Sequence, residues 1–232
     1  MSHPKLVTLL ILSLAVARSP AVGQTVASPY TFIEHSQSWS IFAGKSNLNP
    51  GQLGLGPRDA TLVGGRYAVA FGGAMSLDLD GNLFLSARDI QDASRPPEDR
   101  TLARTDFSVL LVDVKLRLNV TGQRAWHGLQ PFVLFGAGVA FATFTDRTVE
   151  QTSNMPRDEW FEFGTRFTGT FGGGVNYHVS DKISLRLDGM FNLWKLPTPI
   201  GWRTLRNDPL GLYPEGEWVT GKSFKLGAAW RF

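Results

Sequence analysis

Phe161-Glu162-Phe163-Gly164-Thr165-Arg166-Phe167-Thr168-Gly169-Thr170-Phe171-Gly172-Gly173-Gly174-Val175-Asn176-Tyr177 alternates aromatic or apolar residues with polar or small ones at a period of two. Successive side chains of a strand point to opposite faces, so this spacing puts Phe161, Phe163, Phe167, Phe171, Val175 and Tyr177 on one face. Glu162, Arg166, Thr168, Thr170 and Asn176 then share the other. A helix would scatter the same phenylalanines around its circumference. The pattern predicts a strand over Phe161–Tyr177.

The same alternation recurs on either side. In Ala74–Arg88, Leu77, Leu79, Leu83 and Leu85 oppose Ser76, Asp78, Asp80, Asn82 and Ser86. In Thr105–Val120, Leu110, Val112, Val114, Leu116 and Leu118 oppose Asp113, Lys115, Arg117 and Asn119. Ile183–Trp194 sets Ile183, Leu185, Leu187, Phe191 and Leu193 against Ser184, Arg186, Asp188 and Asn192. Trp218–Phe232 sets Phe224, Leu226, Ala228, Trp230 and Phe232 against Ser223, Lys225 and Arg231. Ala60–Ala70, Leu129–Phe144 and Ser38–Ser46 complete eight predicted strands with weaker contrast.

The links between them alternate in length. Phe71–Ala74, Thr121–Gly128 and Val179–Lys182 are short. Asn47–Asp59, Asp89–Arg104, Thr145–Asp158 and Lys195–Glu217 are longer and rich in Pro, Gly and charge. Such an order gathers all long loops at one end of an up-and-down barrel. The expected fold is therefore all-β: an eight-stranded antiparallel up-and-down barrel with both termini at the short-turn end.

Period two alone does not say whether the apolar face points inward or at lipid. Strand length does: most predicted strands exceed the 5–6 residues usual in soluble sheets, and about 10 tilted residues cross a bilayer. Trp39, Phe144, Trp160, Phe161, Trp194, Trp218 and Trp230 lie near strand ends, where they suit two interfacial girdles. The predicted barrel is thus transmembrane, with an interior lined by charges of both signs.

The first residues read as an export signal. Lys5 gives the positive start, Leu6–Ala17 the apolar run, and Ala21 and Gly23 the small residues before a cleavage site. Residues 1–23 are expected to be removed, with cleavage after Ala17 as the alternative. Residues 24–37 are expected to form a periplasmic lead-in and residues 38–232 the barrel domain.

Composition narrows the function. The 232-residue chain has no cysteine, so thiol chemistry and Cys-ligated metal sites are excluded. Basic and acidic residues nearly balance, 23 against 20, and form no basic stripe, so no nucleic-acid partner is expected. No histidine pair has metal-ligand spacing, and no cofactor motif is present: Gly172-Gly173-Gly174 lacks the strand-to-helix context of a phosphate loop. Asp78 and Asp80 share one face of one strand, where an interior charge network is the expected role.

The C-terminal strand carries a resemblance. Phe224-Lys225-Leu226-Gly227-Ala228-Ala229-Trp230-Arg231-Phe232 resembles the closing strand of outer-membrane barrels, and Phe171–Tyr177 with Ile183–Asp188 is similar to a hairpin of the OmpA/OmpX/opacity type. The resemblance implies residence in the outer membrane of a Gram-negative-type bacterium, reached through the periplasm. It implies contact with outer-membrane lipid and lipopolysaccharide. Phe232, Trp230, Leu226 and Phe224 would form the signal read by the barrel-assembly machinery. His178-Val179-Ser180 is similar to the His-x-Ser pair of outer-membrane lipid A deacylases, but falls at a short turn on the periplasmic side.

Eight strands leave little open lumen. The reading is a non-enzymatic surface or structural protein acting through its outer loops. The alternatives are a narrow OmpW-like channel for small or apolar solutes and a lipid A-modifying enzyme. The longest loop, Lys195–Glu217, combines apolar residues with Arg203 and Arg206. Trp202, Arg203, Leu205 and Arg206 are the expected external contact, for lipopolysaccharide or for an external protein or surface ligand. The alternative is that the apolar side chains of this loop fold back over the barrel mouth, aided by the rigid Pro197, Pro199, Pro209 and Pro214.

Overall fold

The computed structural model describes residues 28–34 and 37–232. The export signal and the first part of the lead-in lie outside the described residues. Ten strands follow in order: β1 (Tyr30–Phe32), β2 (Gln37–Leu48), β3 (Ala60–Gly72), β4 (Met75–Gln91), β5 (Thr101–Asn119), β6 (Arg124–Trp126), β7 (Leu129–Thr145), β8 (Thr165–His178), β9 (Ile183–Pro197) and β10 (Gly216–Arg231). Eight of them close a barrel in sequence order. β2 pairs with β3, then β4, β5, β7, β8, β9 and β10, and β10 returns to β2, every pair antiparallel. Closure leaves no strand edge, so the backbone can satisfy its hydrogen bonds inside lipid.

β1 and β6 are additions to the expected eight. They are three residues each and pair with one another, joining the lead-in to the turn that precedes β7. The four long loops lie at the opposite end. One of them contains a short helix, α1 (Thr148–Thr152).

Burial follows the parity read from the sequence. Leu77, Leu79, Val112, Val114, Phe171, Leu185, Leu187, Phe224 and Leu226 are exposed on the outer wall. Asp78, Asp80, Asp113, Lys115, Thr168, Thr170, Arg186, Asp188 and Lys225 are buried inside. On a soluble barrel this arrangement would be inverted. Trp39 and Trp230, opposed across the β2–β10 pair, are exposed at the short-turn end, while Phe144 and Trp218 are exposed at the other. These four match the expected girdles.

Two expectations are corrected at the long-loop end. The strand predicted to begin at Phe161 begins at Thr165, because Gly164 adopts a positive φ of 61° and redirects the chain. Phe161 and Phe163 consequently turn inward and are each 2% exposed. Trp194, also expected in a girdle, is 0% exposed inside the barrel. Its position in β9 has the inward parity of Asn192 and Met190, which overrides the interfacial preference of an indole.

Gly172 and Gly174 have a packing reason. A Cβ on either would run into a β9 carbonyl oxygen, that of Gly189 or Leu187 respectively. The glycines let β8 curve tightly around its neighbour.

Candidate functional site

The interior is stacked in layers. At mid-barrel the inward parity of β3, β4, β5, β9 and β10 brings charges of both signs together. Asp80 is the hub. Arg66 grips it with two prongs, Nε to Oδ1 at 2.5 Å and Nη2 to Oδ2 at 2.7 Å. Lys115 and Lys225 reach its Oδ2 at 2.6 and 3.2 Å. Lys115 also pairs with Asp113 at 2.7 Å, and Lys225 donates to Asn82 Oδ1 at 3.0 Å. Towards the short-turn end Arg186 bridges Asp188 and Asp78, both at 2.8 Å. Burying single charges costs far more than burying paired, hydrogen-bonded ones, so the network holds as a unit. Asp78 and Asp80, read from the sequence as members of a charge network, occupy that place.

Above this layer, towards the long loops, the interior turns apolar. Leu62, Phe84, Phe107, Val109, Leu111 and Trp194 point inward from the strands, and Phe161, Phe163 and Trp202 pack on them from the loops. Trp194 contacts Phe84 and Phe163 edge-on, each with ring centroids 6.3 Å apart. The cap is pinned by a buried ion pair: Arg88 on β4 donates to Glu150 on α1 at 2.7 Å, with side chains 1% and 2% exposed. The guanidinium of Arg88 lies over the rings of Phe107 and Phe161, 5.9 and 5.8 Å from their centroids. The sequence hints at this cap where both parities turn apolar at once, as in Leu83-Phe84-Leu85 and Val109-Leu110-Leu111-Val112.

Trp202, expected on the outer surface, belongs to the cap. It is 1% exposed, donates its Nε1 hydrogen to the Glu159 carbonyl at 3.3 Å and packs edge-on against Tyr213. The rigid Pro199 starts the short 3-10 turn Ile200–Arg203 that folds the indole inward. Arg203 is half-buried and pairs with Glu215 at 3.1 Å. Leu205 and Arg206 are exposed, Leu205 at 87%, and so are Ile200, Leu210 and Leu212. The four residues therefore divide: Trp202 plugs, while Leu205 and Arg206 face water.

Glu159 lies under the same loop, beyond the membrane-spanning strands. Burial pushes its carboxyl above the usual carboxylate range, opposed by a hydrogen bond from the Asn207 side-chain amide. Asp208 anchors the tip by accepting bonds from the backbone N–H groups of Leu212 and Tyr213, each at 2.8 Å.

At the other end, Phe224, Leu226 and Trp230 are exposed on the outer wall of β10, and Phe232 N–H donates to the Gln37 carbonyl at 3.1 Å. His178 Nε2 bonds Gln130 Oε1 at 3.1 Å, while Ser180 Oγ accepts the Ile183 N–H at 3.2 Å. The two side chains of the His-x-Ser are thus engaged with other residues at a short turn. Among the described residues, no group of three or more His, Asp or Glu is placed to hold a metal ion.

A filled interior, a lipid-facing apolar wall and eight closed strands define the architecture. The family model described as the outer membrane protein beta-barrel domain matches residues 7–232. The chain belongs to this family. Its members' setting, the bacterial outer membrane, is the setting of this barrel. Among solved structures, the outer membrane protein OprG from Pseudomonas aeruginosa is similar with a TM-score of 0.55 at 13% identity, over 87% of this chain and 99% of that one. That likeness speaks for the fold alone. Neisserial surface protein A aligns over 88% of this chain and 98% of its own, at 11% identity and a TM-score of 0.47. The attachment invasion locus protein Ail of Yersinia pestis aligns over 86% and 99%, at 15% identity and 0.43. No curated protein sequence matches.

Proposed function

We propose that this outer-membrane barrel acts through its outer loops, as a closed wall carrying a contact surface for an amphipathic anionic ligand. The observation that carries the reading is the division of the 198–215 loop. Trp202 locks its base into the barrel while Ile200, Leu205, Leu210 and Leu212, 69%, 87%, 79% and 65% exposed, stand outside with Arg206 among them. Four large apolar side chains exposed on one anchored loop are the material of an interaction site, since exposed apolar patches mark such sites. Lipopolysaccharide, with acyl chains and phosphates, is the ligand of that chemistry nearest to hand. The filled lumen weighs against the narrow-channel reading, since the ionic layer and the apolar cap both lie across the axis.

The test replaces Leu205, Leu210 and Leu212 with Ser and Arg206 with Gln together. Binding to lipopolysaccharide-containing vesicles is compared with binding to phospholipid vesicles. Loss of the lipopolysaccharide preference with an unchanged unfolding midpoint supports the reading. Unchanged binding removes it.

A further inference from the structure

The charge network does not end in balance. Between the mid-barrel layer and the periplasmic turns lies a cavity of about 70 Å³, lined by Ser40, Arg66, Arg117, His178, Arg186 and Arg231 among others, with Ile33, Gly73 and Gln123 at its mouth. Two buried carboxylates, Asp78 and Asp188, serve this end, and both are engaged by Arg186. Arg66 is held mainly by Asp80. Arg117 approaches a carboxylate only at 3.7 Å, Nε to Asp78 Oδ1. Arg231, 6% exposed, gives one Nη2 hydrogen to the Ser180 carbonyl and pairs with no carboxylate among the described residues.

Donors are left over. Arg186 Nη2, Arg231 Nε and Arg231 Nη1 are buried without a hydrogen-bond partner among the described residues, and so is Arg117 Nε. The Arg186 side chain is 3% exposed, so its spare N–H is deep inside rather than at the rim. One orphan acceptor, Asp78 Oδ1, lies on the Arg117 side. Arg186 and Arg117 both lie against the Phe132 ring, at 4.2 and 5.7 Å from its centroid, which holds the two like-charged groups near one another. Buried donors without partners are costly, and convergent guanidinium groups match oxyanions in both charge and geometry. The space amounts to roughly five water-sized volumes, enough for a compact ion.

We propose that this periplasm-facing vestibule is a binding site for a small oxyanion, of the phosphate or carboxylate class, held by Arg117, Arg186 and Arg231. The ligand supplies the acceptors that the network lacks and completes it from the periplasmic side. The site lies at the opposite end of the barrel from the loop surface proposed above and stands independently of it.

The test uses the full barrel, folded in detergent micelles and verified by heat-modifiable gel mobility. Calorimetric titration and the thermal unfolding midpoint are measured with sodium phosphate, sodium acetate and sodium chloride at matched ionic strength. Phosphate or acetate should bind and raise the midpoint where chloride does not. Arg117→Gln with Arg231→Gln should weaken that binding at least tenfold. Arg231→Lys, which keeps charge but loses the fork, gives a second variant should the pair fail to fold, and is expected to weaken binding as well. Arg95→Gln, on an exposed side chain of the long β4–β5 loop at the far end, should leave it unchanged. Oxyanions no better than chloride, or full binding in a folded Arg117 or Arg231 variant, would overturn the proposal.

Discussion

Arg66 and Asp80 sit directly opposite each other on β3 and β4, and their side chains meet through two parallel hydrogen bonds inside the barrel. The pairing register thereby fixes the centre of the charge network: a slip of one residue would turn the slipped strand's member of the pair into lipid and leave the other charge buried alone. Lys115 and Lys225 converge on the same carboxylate from β5 and β10.

Asp80→Asn should therefore leave three buried cations without their shared counter-charge. A loss of about 3–5 kcal/mol is expected, the range for breaking a buried pair from one side. Reversible urea unfolding in lipid vesicles or micelles reads it. A change below about 1 kcal/mol would mean that the network is dispensable.

Trp202 and Leu205 lie three residues apart with opposite fates, and their substitution should differ accordingly. Trp202→Ala should cost about 3–5 kcal/mol through the void left in the cap. Leu205→Ala, on an 87% exposed residue, should stay within about 0.5 kcal/mol. Unfolding midpoints and proteolytic nicking of the 198–215 loop give the comparison.

The raised carboxyl of Glu159 predicts a pH response in that loop. An acid whose folded value lies above its unfolded one contributes stability that is fully present below the usual carboxylate range and is lost as pH rises through the raised value. Protection of the loop from proteolysis should decrease between mildly acidic and neutral pH. Glu159→Gln should flatten that profile.

Deleting Phe232 should impair delivery to the membrane far more than it impairs stability. The residue lies beyond the end of β10 and adds one backbone bond, to Gln37. Its expected weight comes instead from the resemblance of the terminal strand, with Phe224, Leu226 and Trp230, to the closing strand of outer-membrane barrels, which implies an assembly signal. Outer-membrane levels in cells, set against in vitro refolding yield, separate the two effects. Normal levels of the truncated chain would remove that role.

The eight barrel strands were legible because lipid on one side and polar packing on the other impose a strict period of two. Val112 beside Asp113 and Leu187 beside Asp188 show this contrast at its clearest. The reading weakened where both sides of the wall are apolar. Phe161 and Phe163 continue the alternation of Phe167 and Phe171, yet Gly164 turns them into the cap, and only the backbone conformation reveals it. Trp194 was misplaced for a related reason: an indole suits an interface and a plugged lumen equally well, and Trp202, on a loop with both readings open, takes the inward one. The Arg88–Glu150 pair joins residues 62 apart in sequence, and no local pattern announces it. The Arg117, Arg186 and Arg231 vestibule depends on β5, β9 and β10 meeting around one cavity, which requires the closed register.

The central claim is that the apolar parity of these strands faces lipid. The chain has no cysteine, so single introduced cysteines are unambiguous reporters. Phe167 and Thr168 are neighbours on β8, 67% and 0% exposed. A fluorescent label at Phe167→Cys, and likewise at Val112→Cys or Leu187→Cys, should be quenched by a quencher dissolved in the acyl chains. A label at Thr168→Cys should not be. Arg placed at Val112 or Leu187 should in addition cost about 2–4 kcal/mol near the bilayer midplane. Quenching at 168 with none at 167, 112 and 187 would mean that the apolar face points inward, and would contradict the account.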